Sequence, residues 1–384
     1  MMWERVKLAD VSDSCLGKML DQRKNKGIYK PYLANVNVRW GAFDLDNLQE
    51  MKFEDDEDER YGIKYGDLII CEGGEPGRCA IWKEQLPNMK IQKALHRLRV
   101  NEEMDYRYVY YWFLLAGKQG ALKQYYTGAT IMHMPGQKLK EVVIDKPPLD
   151  VQRKIGDYLE AFDDLIENNQ KQIKLLEEAA QRLYKEWFVD LRFPGYEDVE
   201  IVDGVPEGWE ITPINMVANL KAGGDKPKTF SEKMTNENKI PVFANGITGK
   251  GLMGFPDKAV INNPSVTISA RGTVGVVFLR TEPYVPIVRL ISVTPIEDKV
   301  DILYLYLYLI NQNFRSTGAA QQQITVPLLK SKNIICPTDD VRKSFNDVIT
   351  SIFNKIDILE KHINKLTEAR DRLLPKLMNG EIEV

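Results

Sequence analysis

The sequence has few of the residues that build metal or disulfide sites. Its 384 residues include four cysteines and three histidines, and no two cysteines form a Cys-x-x-Cys pair. A disulfide framework or a zinc site needs such residues in clustered patterns. The sequence therefore indicates reduced, structural thiols and no metal site.

Long apolar runs and targeting signals are also missing. The longest apolar run, at residues 108–116, is too short to span a bilayer. The first residues lack a basic stretch followed by an apolar one, so no secretion signal is indicated. We expect a cytoplasmic protein with no membrane association.

The motifs of common catalytic sites are absent as well. The strings nearest to the Asn/Asp-Pro-Pro-aromatic loop of amino-methyltransferases are "DKPPL" and "INNPS", and neither fits. The glycine-rich "EGGEPG" at Glu72 lacks the Gly-Lys-Ser/Thr that closes a phosphate-binding loop. We expect a protein without enzymatic activity and without a cofactor of its own.

The charge is unevenly distributed along the chain. The whole chain has a net charge of −3, but residues 1–148 carry +1, 149–200 carry −6, 201–336 carry +3 and 337–384 carry −1. The average therefore does not exclude a nucleic-acid partner for the two positive segments. The acidic run at residues 54–59 is predicted to be a solvated loop.

An internal repeat organises the chain. From Gly128 and Gly318 onward, the two halves align without a gap at an offset of 190 residues. In both copies apolar residues recur at alternating spacings of four and three, a heptad pattern that favours coiled-coil packing. The first copy of this seam comprises Ile155, Leu159, Phe162, Ile166, Asn169, Ile173, Leu176, Ala180, Leu183 and Trp187. The second comprises Phe345, Ile349, Ile352, Ile356, Leu359, Ile363, Leu366, Arg370, Leu373 and Leu377.

Each seam lies on one long predicted helix. Asp150 and Asp340 are predicted N-caps, and the helices should end before Phe193 and before Asn379. Because one helix leads away from the first domain and the other leads back, an antiparallel pair is the economical packing. Pairing of each helix with another chain is the alternative.

The segments before the two helices share a pattern. Asp67 and Ser265 each begin a predicted strand, a Gly-x-x-Gly turn and a second strand, and Asp105 and Asp301 each precede a predicted helix. We predict an α+β fold with a pseudo-two-fold internal repeat. Its domains are residues 1–148, a helix at 149–192, a second domain at 193–338, and a helix and tail at 339–384.

These residues resemble the specificity subunits of type I restriction–modification systems over nearly the whole chain. Residues 147–195 resemble the central conserved helical region of that family, and residues 336–384 resemble its C-terminal one. "IPVFANGITGKGLMG" at Ile240, "VTISARGTVGVVFL" at Val266 and "YLANVNVRWGAFD" at Tyr32 resemble the frame of its target recognition domains. The first domain departs from this pattern by its acidic run and by Glu72, where the second has Ala270.

The resemblance implies a protein that binds double-stranded DNA and reads an asymmetric target in two parts. Each target recognition domain would read one half-site, and the coiled coil would set the spacing between them. Two methyltransferase subunits would dock on the chain, and nuclease/translocase subunits would join through them. Those partners would supply S-adenosylmethionine, ATP, magnesium and all catalysis.

Base reading and phosphate anchoring need Arg, Lys, Asn or Gln on loops between strands. In the first domain the candidates are Lys24, Lys26, Lys30, Arg39, Arg78 and Lys93. In the second they are Lys226, Lys228, Asn245, Lys250, Arg271, Arg315, Gln321, Gln322 and Gln323. A solvated surface charge is the alternative for each of them.

Apolar residues off the heptad seam are candidates for binding a partner protein. They are Tyr158, Leu165, Leu175 and Tyr184. Packing on the adjoining domains is the alternative for these four. The competing function is a scaffold in which the coiled coil spaces two protein-binding adaptor domains without touching DNA.

Overall fold

A computed structural model of the chain describes residues 3–21, 25–296, 298–314 and 323–384. Its backbone forms two compact units. Unit 1 consists of residues 1–169 and 361–384, and unit 2 of residues 170–360. Each long helix therefore contributes one part to each unit.

The first domain, in unit 1, is built from short strands and short helices. In chain order these are β1 (Glu4–Lys7), α1 (Leu8–Val11), β2 (Ser12–Leu16), β3 (Ile28–Leu33), β4 (Val38–Arg39), β5 (Ala42–Phe43), β6 (Gln49–Phe53), α2 (Asp58–Tyr61), β7 (Leu68–Cys71), β8 (Cys79–Ile81), β9 (Lys90–Ile91), β10 (Leu95–Val100), α3 (Tyr106–Gln119), α4 (Gly136–Lys140) and β11 (Val143–Lys146). The first long helix, α5 (Leu149–Phe188), follows.

The second domain, in unit 2, repeats much of this order. Its elements are β12 (Ile201–Val202), β13 (Val205–Pro206), β14 (Glu210–Pro213), β15 (Ala218–Ala222), β16 (Val242–Phe243), β17 (Leu252–Gly254), β18 (Ser265–Ser269), β19 (Val277–Arg280), β20 (Val285–Pro286), β21 (Leu290–Pro295), α6 (Ile302–Ile310), α7 (Val326–Lys330) and β22 (Asn333–Cys336). The second long helix, α8 (Asp339–Met378), follows.

The two larger sheets of each domain correspond strand for strand, whereas, among the described residues, the hairpins β4-β5 and β12-β13 each occur in one domain only. The main sheet has the order β2-β10-β7-β8 in the first domain and β15-β21-β18-β19 in the second, with all neighbours antiparallel. A second sheet has the order β6-β3-β9 or β17-β16-β20, each with one antiparallel and one parallel pair. The predicted α+β repeat is confirmed, including the two strand-turn-strand motifs and the helices after Asp105 and Asp301.

Both long helices have 40 residues. They begin at Leu149 and Asp339, so Asp150 and Asp340 lie inside the first turns, and both predicted N-caps are wrong by two residues. Carboxylates in a first turn still interact favourably with the positive end of the helix dipole. The predicted ends, before Phe193 and Asn379, are confirmed.

The predicted seam faces the interior of each unit. None of its residues is exposed, and Ile155, Leu159, Phe345 and Ile349 are at most 1% exposed. In unit 1 the start of α5 packs with the end of α8, where the seam's polar member Arg370 forms an ion pair with Asp163. In unit 2 the end of α5 packs with the start of α8. The helix segments therefore run antiparallel in each unit.

Each α+β domain packs on the helix segments of its own unit. In unit 2 this core is aromatic: the Phe188 ring lies 4.7 Å from Tyr304, 4.8 Å from Phe345 and 5.7 Å from Trp209. In unit 1 the position that corresponds to Phe188 is Met378, in a core with Leu374, Leu159 and Tyr108. Helix and domain thus share one hydrophobic core in each unit.

Candidate nucleic-acid interface

The turn that joins β7 to β8 in the first domain and β18 to β19 in the second is built alike in both. In the first domain Asn35 Nδ2 donates to the Gly73 carbonyl at 3.0 Å, and in the second Asn245 Nδ2 donates to the Arg271 carbonyl at 2.8 Å. The next residue is a glycine with positive φ, 74° at Gly74 and 76° at Gly272. A Cβ at either glycine would lie 2.8 Å from that asparagine amide, so the turn requires glycine.

This contact bears on the predicted role of Asn245 as a base reader. Its amide nitrogen holds the backbone of the turn, and its main-chain carbonyl accepts a hydrogen bond from Thr273 Oγ1. The equivalent Asn35 makes the same amide contact in a different loop sequence. Asn245 therefore supports the turn that presents Arg271.

Arg271 and Gln323 meet on the surface of the second domain. Arg271 Nη2 donates to Gln323 Oε1 at 2.7 Å, and both residues are exposed. Their backbones are connected too, because Ile324 N donates to the Ala270 carbonyl at 3.0 Å. The structure thus brings together two candidates that are 52 residues apart in sequence.

A cleft of about 340 Å³ opens beside this pair. Its lining includes the two predicted residues Arg271 and Gln323. It also includes Arg289, which was not among the residues predicted from the sequence. Arg289 is exposed, has a φ of 79°, and its carbonyl accepts a hydrogen bond from Ala270 N at 2.7 Å. The sequence signal that could have identified Arg289 is its position as an isolated arginine between the apolar runs of β20 and β21.

Lys250 lies on the 3-10 turn Thr248–Gly251 and forms an ion pair with Glu360 at 2.9 Å. The side chain of Arg280 holds this turn by a hydrogen bond to its backbone. Arg280 is a second residue that was not predicted from the sequence. Arg280 is 4% exposed and donates to the Lys250 carbonyl at 2.7 Å and to Thr267 Oγ1 at 3.1 Å. Its guanidinium lies 3.5 Å from the centre of the Phe243 ring, and burial lowers its pKa to about 10.

Lys226 and Lys228 lie on the exposed loop between β15 and β16. The Lys226 ammonium sits 4.1 Å from the centre of the Phe230 ring, a cation–π contact that leaves the charge at the surface. This loop is a cationic surface suited to phosphate contacts.

The acidic run of the first domain, predicted to be a solvated loop, also forms regular structure and ion pairs within the domain. It forms a 3-10 turn at Asp55–Glu57 and the start of α2. Asp58 forms ion pairs with Lys30 at 2.8 Å and with Lys90 at 2.9 Å, and Glu57 pairs with Lys18. Although partial burial opposes it, the two lysines hold the pKa of Asp58 below its usual value.

This pairing argues against Lys30 as a phosphate contact, because its ammonium is engaged by the Asp58 carboxylate, which it shares with Lys90. Arg78 is similarly engaged: it bonds Glu75 at 3.2 Å and the Asn35 carbonyl at 3.1 Å. Arg39 lies 3.6 Å from Asp44 but remains half exposed.

The remaining candidates of the first domain differ in exposure. Lys26 is exposed, and Lys93, between β9 and β10, is half-buried. Four predicted residues lie outside the described residues: Lys24, Arg315, Gln321 and Gln322.

Three of the four predicted partner-binding residues are exposed on helix α5. Tyr158 is 59%, Leu165 51% and Leu175 64% exposed. The fourth, Tyr184, is 5% exposed and packs on Phe188 and Tyr304 at ring distances of 5.5 and 5.6 Å. Its assignment to a partner surface is wrong, because the end of α5 buries this face in its own domain.

Within the described ranges no group of three or more His, Cys, Asp or Glu side chains is arranged to hold a metal ion. Likewise, no helix among the residues that the structure covers is long and apolar enough to cross a membrane.

Comparison with known proteins identifies the family. The sequence model described as "Type I restriction modification DNA specificity domain" matches residues 2–178 and 206–368. The chain belongs to this family. Its two matched segments correspond to the two recognition domains with their following helices, so the resemblance seen in the sequence is confirmed.

Two relatives from Methanocaldococcus jannaschii illustrate the similarity among type I specificity subunits. The MjaIX specificity subunit is 29% identical over 344 residues, covering 83% of this chain and 78% of the relative. The MjaVIII specificity subunit is 24% identical over 413 residues, covering 100% and 93%. A crystal structure of the type I S subunit from M. genitalium matches the fold with a TM-score of 0.59 at 17% identity, over 98% of this chain and 96% of that one.

Proposed function

We propose that the chain is the non-catalytic, DNA-binding specificity subunit of a type I restriction–modification complex, and that it reads an asymmetric target made of two half-sites. The observation that carries this proposal is the duplicated frame. Two domains share the same sheet orders and the same Asn–turn contact, yet they present different residues at their loops. Two domains with the same backbone frame but different loop residues could each bind a half-site of different sequence.

The charges of the second domain support DNA binding. Lys226, Lys228, Arg271 and Arg289 are exposed on loops, and lysines and arginines in such positions neutralise phosphates and reach base edges. The first domain presents Lys26, Arg39 and Lys93, while Lys18, Lys30 and Lys90 form ion pairs within the domain.

The helices supply the proposed partner surfaces. Tyr158, Leu165 and Leu175 expose apolar side chains on α5, and association would remove them from water. We assign the exposed side chains of Tyr158 and Leu165 in unit 1, and of Leu175 in unit 2, to contacts with two methyltransferase subunits, through which nuclease/translocase subunits would join. S-adenosylmethionine, ATP and magnesium would then act in those partners, within the cytoplasm.

The first experiment is to purify the tagged chain from its native host and identify the proteins that accompany it. A methyltransferase should co-purify, and Leu175→Asp should reduce its recovery. Lys185→Asp, at an exposed polar position of the same helix, is the matched control.

The second experiment measures DNA binding by that complex. Lys226→Ala combined with Lys228→Ala should weaken binding to all sequences and reduce the slope of log K against log salt by about 2. Recovery of unrelated partner proteins, with no DNA binding by the complex, would instead favour the scaffold of two adaptor domains.

A further inference from the structure

We propose that Arg271 reads one guanine of the second half-site and that Gln323 is the positioning residue that sets its guanidinium for this contact. The inference rests on the proposed function and adds the identity of a base and the pair of residues that selects it. It starts from the hydrogen bond between Arg271 Nη2 and Gln323 Oε1, which is 2.7 Å long.

The bond to Gln323 leaves the reading edge of Arg271 available. A guanidinium has two forks of parallel N–H donors, one between Nε and Nη2 and one between Nη1 and Nη2. Gln323 accepts a single hydrogen from Nη2, so it occupies one fork and leaves the other complete. Among the described residues, Gln323 is the partner that the Arg271 guanidinium contacts.

A complete fork matches guanine better than any other base. In the major groove guanine presents two acceptors, O6 and N7, side by side, and a bidentate arginine satisfies both. Adenine offers one acceptor and one donor at the same edge, and the donor would face an N–H of the fork. The fork therefore discriminates by hydrogen bonding and not by shape alone.

The backbone on both sides of the pair is fixed. Asn245 Nδ2 holds the Arg271 carbonyl at 2.8 Å, and the backbone bond from Ile324 to Ala270 at 3.0 Å ties the Gln323 segment to the same turn. An arginine that is already oriented loses less conformational freedom on binding. A bidentate contact with a base depends on the orientation of the guanidinium plane. This restraint therefore favours a base contact for Arg271 over a phosphate contact.

The first domain lacks the pair at the same place in its frame. Met134 N donates to the Glu72 carbonyl at 2.7 Å, which makes Gly73 and His133 the counterparts of Arg271 and Gln323. Gly73 has no side chain. A Cβ added to Gly73 would lie 3.0 Å from His133 Nδ1. The guanine contact therefore belongs to the second half-site alone.

The experiment uses the chain assembled with its methyltransferase subunits. The half-sites are first mapped from methylated DNA, and binding is then measured on duplexes in which each base pair is changed in turn. Arg271→Ala and Arg271→Lys should both lose about 5- to 150-fold of the discrimination at one guanine of the second half-site, because lysine keeps the charge but not the fork. Discrimination at the first half-site should be unchanged, which also controls for folding.

Gln323 is tested by its effect on the same base pair. Gln323→Met, which cannot accept the hydrogen bond, should lose part of the discrimination at that guanine, and Gln323→Glu, which can accept it, should retain more. Arg271→Ala together with Gln323→Met should lose no more than Arg271→Ala alone, since the two residues act through one contact.

Three results would overturn the inference. One is a uniform loss on all sequences with a shallower salt slope, which would make Arg271 a phosphate anchor. Another is a loss of discrimination at a base pair without guanine. The third is unchanged selectivity in both Arg271 variants while the unaltered complex remains selective, which would leave the proposed function standing. An unaltered complex without any sequence preference would overturn both proposals.

Discussion

The two recognition domains share their backbone frame but use their charges differently. In the first, Asp58 and Glu57 form ion pairs with Lys30, Lys90 and Lys18 within the domain. In the second, Arg271 bonds the neutral side chain of Gln323 and keeps its charge at the surface. The comparison teaches that buried strands and turn glycines maintain the frame, while the ion pairing of a few loop residues decides what each domain presents.

The polar contacts that fix the start of each long helix to its domain, here called the joints, also differ between the two units. In unit 1, the fully buried Gln152 accepts a hydrogen bond from Asp105 N at 3.0 Å and donates to the Pro147 and Glu103 carbonyls. In unit 2, the corresponding residue is Arg342, which forms ion pairs with Asp301 at 3.0 Å and Asp339 at 3.2 Å. One position of the repeat thus performs one task with two kinds of polar contact.

The largest expected effect distinguishes the two hydrophobic cores. Phe188→Ala should lower the free energy of unfolding by about 3–5 kcal/mol, and Met378→Ala at the corresponding position by about 2–5 kcal/mol. We expect the greater loss at Phe188, because its contacts with Tyr304, Phe345 and Trp209 add aromatic pair energy.

Urea denaturation followed by tryptophan fluorescence measures both losses. Leu175→Ala, at a side chain that is 64% exposed, is the control and should change little. A loss at Phe188 no larger than that of the control would mean that the aromatic cluster does not stabilise unit 2.

The next effect compares the two joints. Gln152→Ala leaves a buried amide and two carbonyls without partners and should cost about 1–3 kcal/mol. Arg342→Ala removes ion pairs that reach the surface, where about 1 kcal/mol or less is expected. Calorimetric unfolding of both variants tests this order, and an equal or larger loss for Arg342→Ala would contradict the account of the joints.

The smallest effect should be the same in both domains. Asn35→Ala and Asn245→Ala each remove one hydrogen bond from the turn before Gly74 or Gly272, at about 0.5–1.5 kcal/mol. Similar losses of thermal stability would sharpen the claim of a shared frame. A large loss for one variant and none for the other would break it.

The sequence predicted the parts of the structure that depend on local pattern. The heptad seam, the helix ends and the strand-turn-strand motifs were correct, because periodicity and glycine turns are properties of neighbouring residues. It missed contacts that folding creates between distant residues. Neither the pairing of Asp58 with Lys30 nor the support of Lys250 by buried Arg280 has a local signal.

The wrong assignment of Tyr184 and the incomplete description of the acidic run, whose residues are mostly exposed as predicted, have a similar cause. Tyr184 lies off the heptad seam and therefore suggested a partner surface, but the domain itself covers that face of α5. The acidic run suggested a solvated loop, because its cationic partners lie on other strands. Arg271 and Gln323 were selected singly, and only the fold shows them as a hydrogen-bonded pair.

The central claim is that one frame, used twice with different loops, reads two different half-sites. The most direct test is sequencing that maps every methylated base in DNA from cells that produce this chain together with the proposed methyltransferase subunits. We expect a target of two unlike half-sites separated by a gap of constant length, with Arg271→Ala relaxing one half-site and leaving the other intact. A palindromic or continuous target, or relaxation of both half-sites by that single change, would contradict it.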